Sequence, residues 1–159
     1  PPREEFGGAA VLLPVSIPAF PVTWKQVRAY VTLLTKQRSI FLHPSRIIVL
    51  NAGAKEGAAR KLGGELYRYD FNVQNTRNYA RVNNPSFAKS FLIINPALSA
   101  DPTMAPLLKL AQNTAATLGI IFKMEVLPDP QGEAFTQDDA DIAIVLGEDF
   151  QYTPLQERL

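Results

Sequence analysis

The chain has 159 residues, is 47% apolar and carries a formal net charge of only +1. It is long enough for one domain with a real core, too apolar to be disordered as a whole, and too evenly charged to be a general binder of nucleic acid or other polyanions. It has no cysteine, which removes disulfides, thiolate zinc sites and cysteine nucleophiles. No apolar run reaches the roughly 18 residues that span a bilayer. The average charge hides an asymmetry. Residues 55–89 hold seven basic and three acidic side chains, whereas 128–149 hold seven acidic and no basic one. The chain starts on Pro-Pro rather than methionine, which reads as a trimmed or processed end and leaves room for a signal or anchor segment upstream.

Residues 1–22 are punctuated by proline. The stretch 9–15 has the composition of a short edge strand, but Pro14, Pro18 and Pro21 block a regular ladder, so 1–22 reads as an arm or linker. Thr23 is an N-cap, and apolar residues at Val27, Tyr30, Val31, Leu34 and Ile40 or Phe41 predict a helix over 24–41. Trp24 and Tyr30 read as packing residues rather than as a sugar platform. His43-Pro44-Ser45 ends the helix, because proline disfavours helical geometry in the residue before it.

Residues 46–60 then read RIIVLNAGAKEGAAR. The β-branched run Ile47, Ile48, Val49, Leu50 predicts a buried strand, the glycines Gly53 and Gly57 a tight turn, and the alanines a helix to about Tyr69. Gly63-Gly64 inside that helix costs about 1 kcal/mol per glycine relative to alanine, which predicts close packing against a neighbour. A mostly polar strand is predicted over 71–82 and an apolar one over 91–94. Asp101 and Pro102 start a second helix, whose buried stripe is Met104, Leu107, Leu108, Ala111, Ala115 and Leu118, and Gly119 ends it. Further strands are predicted over 120–127 and 140–146, separated by an acidic loop. The end of the chain is polar and reads as a partly mobile tail.

From Ile47 onward the order is β-α-β-β-α-β-β. This predicts an α/β (α+β) fold, a small two-layer sandwich with a mixed sheet and helices on one face, preceded by an arm and a helix. The divisions are 1–45, 46–151 and the tail 152–159.

The turn sequence VLNAGAKEGAARKLGGEL (49–66), the FNVQN that follows it and the closing ADIAIVLGEDF (140–150) resemble the LytR C-terminal domain family. Those modules are appended to LytR-CpsA-Psr cell-envelope proteins or stand alone behind a membrane anchor. The resemblance covers about 46–151 and departs at Ala52, where the family usually has glycine. It implies an extracytoplasmic bacterial setting, a membrane anchor in the full-length protein, and an accessory, non-catalytic role. Its implied partners are peptidoglycan, a cell-wall glycopolymer or an envelope-assembly protein. The glycopolymer transferase chemistry of LytR-CpsA-Psr proteins sits in a separate, larger domain for which this chain has no room.

Candidate sites divide into four groups. The turn Asn51, Gly53, Gly57 has backbone N–H groups at a helix start and suits an anion, but it is neither a P-loop nor a dinucleotide motif. The alternative is a plain tight turn in which Asn51 bonds local backbone. Arg77, Tyr79 and Arg81 alternate, so a strand puts them on one face with Asn75. Two guanidiniums around an aromatic suit an anionic glycan, and the alternative is a solvated edge strand. The acidic residues Asp129, Glu133, Asp138, Asp139 and Asp141 fit no EF-hand spacing and read as a solvated loop, which could also meet the basic segment of a second copy in a homo-oligomer. His43, the only histidine, has no triad partners beside it. No residue pattern calls for a cofactor. The leading expectation is a binding or scaffold module contacting its ligand through Asn75, Arg77, Tyr79 and Arg81. A domain that binds or processes a phosphorylated ligand at the Asn51–Gly57 turn is the second reading, and a self-associating structural domain is the third.

Overall fold

The computed structural model describes residues 23–159, together with the backbone of a short antiparallel ribbon, β1 (Glu5–Phe6) and β2 (Ala9–Ala10). The rest of 1–22, including most of the expected edge strand over 9–15, lies outside the described residues. Helix α1 (Trp24–Lys36) begins at Thr23, whose side chain accepts from the Gln26 N–H while the Gln26 side chain accepts from the Thr23 N–H. This is a capping box, and it satisfies backbone donors that a helix start leaves open. The expected single helix is broken at Gln37 (φ −130°), and α2 (Arg38–Leu42) follows as a separate turn and a half.

The centre is a five-stranded mixed sheet in the order β4-β3-β7-β5-β6. Its members are β3 (Arg46–Asn51), β4 (Asn72–Asn78), β5 (Phe91–Ile94), β6 (Glu125–Val126) and β7 (Ile142–Leu146). β3 runs parallel to β4 and β7, and β5 antiparallel to β7 and parallel to β6. Helix α3 (Ala58–Arg68) connects β3 to β4. Helices α4 (Ala97–Ala100) and α5 (Ala105–Phe122) connect β5 to β6. The expected element order is thus observed, with α4 and a 3-10 turn (Pro102–Met104) added before α5. The Asp101 side chain caps that turn by accepting from the Thr103 N–H.

Because side chains alternate along a strand, β3 and β7 feed two cores. Ile47, Val49, Ile142, Ile144 and Leu146 face the helices, in one cluster with Ala29, Leu33, Leu62, Leu66, Ala115 and Leu118. Ile48, Leu50, Ala143 and Val145 face the other way, with Tyr79, Phe91, Ile93, Ala134 and Ala140. Among the described residues no helix covers this second face. Instead the loop following β4 and the segment 128–140 close over it.

Several boundaries differ from expectation. α5 runs past Gly119 to Phe122 and stops at Lys123, which adopts a left-handed conformation (φ 55°). Gly119 is needed for a different reason, since a Cβ there would lie 2.8 Å from the Met124 carbonyl oxygen. The strand expected over 120–127 shrinks to β6, and Met104 and Leu107 are exposed rather than buried. The tail is docked, not mobile. Leu155 is buried, its N–H donates to the Glu65 carboxylate at 2.9 Å, and Lys25 pairs with Glu157 at 2.5 Å. Leu155→Ala is expected to cost about 3 kcal/mol, the usual range for a buried leucine, readable by urea unfolding.

The two helical glycines are not equivalent. A Cβ at Gly63 would sit 2.4 Å from Thr76 Cγ2, whereas one at Gly64 would meet nothing within 4 Å. Only Gly63 holds α3 against β4. Gly63→Ala is expected to destabilise by about 1–3 kcal/mol through overpacking, and Gly64→Ala to stabilise by about 0.5–1 kcal/mol through helix propensity. Thermal melts of the two variants should shift in opposite directions.

Candidate functional site

The β3–α3 turn is built as a tight connection. The Asn51 side-chain amide donates to the carbonyls of Ala54 and Lys55, and its Oδ1 accepts from the Gly53 N–H. Gly53 has φ 123° and Gly57 φ 81°, both in the region that favours glycine. A side chain at Gly53 would also strike Ser86 Oγ and Glu148. Ala52 needs no glycine: its φ is not positive, and it continues the sheet by donating its N–H to Leu146 and accepting from Phe87. The departure from the family pattern at this position therefore carries no strain.

The second candidate group is arranged differently from expectation. β4 ends at Asn78, and a bulge sets Val73 opposite Ile47 and Asn75 opposite Ile48, with Gln74 as the extra residue. Asn75 and Arg77 do share a face, but the acidic segment lies over it. Arg77 Nε donates to Asp138 at 2.7 Å, and the same guanidinium reaches the carbonyls of Asn78, Tyr79 and Ala134. The Asn75 amide donates to Asp138 at 2.8 Å. Tyr79 is fully buried and its hydroxyl bonds to Asp129. Burial, with help from that hydrogen bond, pushes the Tyr79 hydroxyl up to about 12. Asn75 and Arg81 are exposed, and of the four only Arg81 has no hydrogen bond or ion pair among the described residues. Asn75, Arg77, Tyr79 and Arg81 therefore do not form one open recognition surface.

The acidic segment is a strap rather than a solvated loop. Besides Asp138 and Asp129, Asp139 pairs with Arg46 at 2.6 Å, and the buried Asp141 holds both the Arg46 guanidinium (2.9 Å) and its backbone N–H (2.8 Å). Among the described residues no group of three or more acidic or histidine side chains is placed to hold a metal ion. The acidic segment finds its cations within the chain, but only Arg77 of them belongs to the basic segment 55–89; the other is Arg46. The charge asymmetry of the sequence did not show which partner each charge would find.

One recess that stays open, of about 340 Å³, lies beyond the carboxyl ends of β3 and β4, lined by the turn (Asn51, Gly53, Glu56, Gly57), Asn78 and the 84–86 loop. Asn84 joins its walls, accepting from the Ala80 N–H and donating to the Asn51 carbonyl. Ser86 donates to Glu148 at 2.6 Å. Asn78, Asn84, Ser86 and Glu148 were not singled out from the sequence, because their proximity comes from the loop crossing over the strand ends. The lining has one carboxylate, Glu56, and no cation, so it suits hydroxyl and amide groups better than phosphate.

The fold and this recess define a small α/β domain with a surface-exposed polar site. Residues 45–150 match the LytR_C family, described as LytR cell envelope-related transcriptional attenuator, and the chain belongs to that family. It is thus a cell-envelope associated accessory domain, a class that is not itself catalytic. The chain is similar in structure to the soluble domain of a conserved hypothetical secreted protein from Mycobacterium marinum, at 19% identity and a TM-score of 0.47; the match covers 70% of this chain and 64% of that one. Comparison with curated proteins gave no match. Among the described residues no helix is long and apolar enough to cross a membrane.

The strap generates a prediction about acid. Burial would raise the Asp138 carboxyl pKa, but the hydrogen bonds from Arg77 and Asn75 outweigh it and hold the group below the usual carboxylate range. A depressed folded-state value means that the stabilisation is present above the unfolded value of about 3.9 and is lost as pH falls through the folded one. Asp138→Asn is expected to cost about 2–3 kcal/mol near neutral pH, because it leaves Arg77 without its counter-ion. In urea unfolding the gap to the wild type should close as the pH is lowered below the unfolded carboxylate value of about 3.9 and on through the lower folded one.

Proposed function

We propose that this domain is a non-catalytic binding or scaffold module on the extracytoplasmic side of the bacterial envelope, standing behind a membrane anchor in the longer protein. It contacts peptidoglycan or a cell-wall glycopolymer through the recess at the β3–α3 turn. The observation that carries this reading is the character of the recess: wide, shallow, neutral-to-acidic and lined by amides, a hydroxyl and backbone. Such a surface accepts a polymer laid across it and offers hydrogen bonds to sugar hydroxyls and acetamido groups. It does not enclose a small molecule. The turn amide Asn51 is spent on backbone, and no basic side chain lines the recess, so the phosphorylated-ligand reading loses its charge partner. Arg81, in the exposed loop after β4, is the member of the expected contact group still available to such a ligand.

Glu56 and Asn78 are exposed, and their side chains make no hydrogen bond among the described residues. Glu56→Arg combined with Asn78→Trp should therefore leave the melting temperature unchanged while filling the recess. Co-sedimentation with purified sacculi is expected to fall at least about tenfold, a loss of about 1.4 kcal/mol. Equal co-sedimentation of variant and wild type would exclude the recess. Failure of the wild type to sediment at all would exclude peptidoglycan and wall-linked polymer as the ligand.

A further inference from the structure

The outer face of α1 serves neither the core nor the recess. Trp24, Arg28, Val31 and Thr35 follow one another at spacings of 4, 3 and 4 and lie on one exposed stripe. Trp24 is 77% exposed and Val31 48%. The expectation that Trp24 is a packing residue fails, because Ala29 and Leu33 on the opposite side of the helix are the buried pair. Lys25 and Lys36 are exposed to one side of the stripe, about 100–120° round the helix from Trp24, and Arg38 and Leu42 are exposed on α2. Residues 23–45 contain four Lys or Arg and no Asp or Glu. Among the described residues two acidic groups reach these helices from elsewhere: Glu157 pairs with Lys25, and Asp70 bonds the Tyr30 hydroxyl. Arg28, Lys36 and Arg38 have no ion pair among the described residues.

We propose that the outer face of α1 docks on an anionic phospholipid surface, with Trp24 and Val31 at headgroup depth and Arg28 and Lys36 against the phosphates. This inference is independent of the wall-polymer reading, which concerns the opposite partner and another part of the fold. Three features select a bilayer over other anions. The face is a convex helix surface, which fits a plane and offers no groove for a peptide. It combines aliphatic and indole surface with cations, the composition of an interfacial helix, and tryptophan favours the membrane–water boundary. The stripe carries no carboxylate or side-chain amide to accept from sugar hydroxyls. A soluble polyanion would neutralise the cations yet leave Trp24 in water.

Trp24 is the only tryptophan in the chain, so it reports its own environment. The test titrates the whole chain with phosphatidylcholine vesicles, with and without about one-third phosphatidylglycerol. The expected result is a blue shift of tryptophan emission with the anionic vesicles only, reversed by high salt. Arg28→Gln with Lys36→Gln should weaken this binding about thirtyfold, at about fivefold per basic residue, with circular dichroism unchanged because both sites are exposed. No blue shift with anionic vesicles, an equal shift with zwitterionic ones, or an undiminished affinity in the double variant would each overturn the proposal. Soluble polyphosphate in place of vesicles should bind without a blue shift. If it shifts the emission as vesicles do, Trp24 is not reporting a lipid surface and the proposal fails.

Discussion

The constraint on which this structure depends is that its two central strands are apolar on both faces. β3 and β7 expose essentially nothing from Ile47 to Leu50 and from Ile142 to Leu146, so both sides of the sheet must be covered. The helices α1, α3 and α5 do this on one side. On the other side, among the described residues, there are only loops, and a loop buries its backbone badly unless its polar groups find partners. The carboxylates of 128–141 supply them. Asp129 accepts from the Tyr79 hydroxyl and the Ala134 N–H, Asp138 from Arg77 and Asn75, and Asp141 from the backbone and side chain of Arg46. The second core exists because an acidic strap is bonded down over it.

This changes what the polar strand β4 means. Alternation placed Asn75, Arg77 and Tyr79 on one side, and the structure agrees about the side. What alternation does not reveal is that this side faces a segment some 50 to 60 residues later in the chain. A guanidinium and an acidic loop look equally available in sequence; in the fold each consumes the other. The segments that were legible, the buried strands and the α3 and α5 stripes, are those whose environment is set by local periodicity. The segments that were not are those whose partner lies far away in sequence, including the tail held by Glu65 and the loop crossing that makes the recess.

Trp24 shows the opposite error. A large aromatic at the start of an apolar helix is usually packed, but helical phase decides. The buried side of α1 passes through Ala29 and Leu33, and Trp24 lies roughly half a turn away from it. Ala29 and Leu33 carry the buried side of α1, and Trp24, on the far side of the helix from them, is left outside the core.

The near-zero net charge then acquires a structural meaning. Of the seven acidic side chains in 128–149, six are engaged: Asp129, Asp138, Asp139 and Asp141 as above, Glu148 by Ser86, and Asp149 by the Ser90 hydroxyl and N–H. The bases are divided otherwise. Arg46 and Arg77 are spent on the strap, whereas Arg28, Lys36, Arg38 and Arg81 remain exposed with no ion pair among the described residues. What differs from place to place is the local sign: residues 23–45 carry four cations and no acidic side chain, while the recess lining carries one carboxylate and no cation.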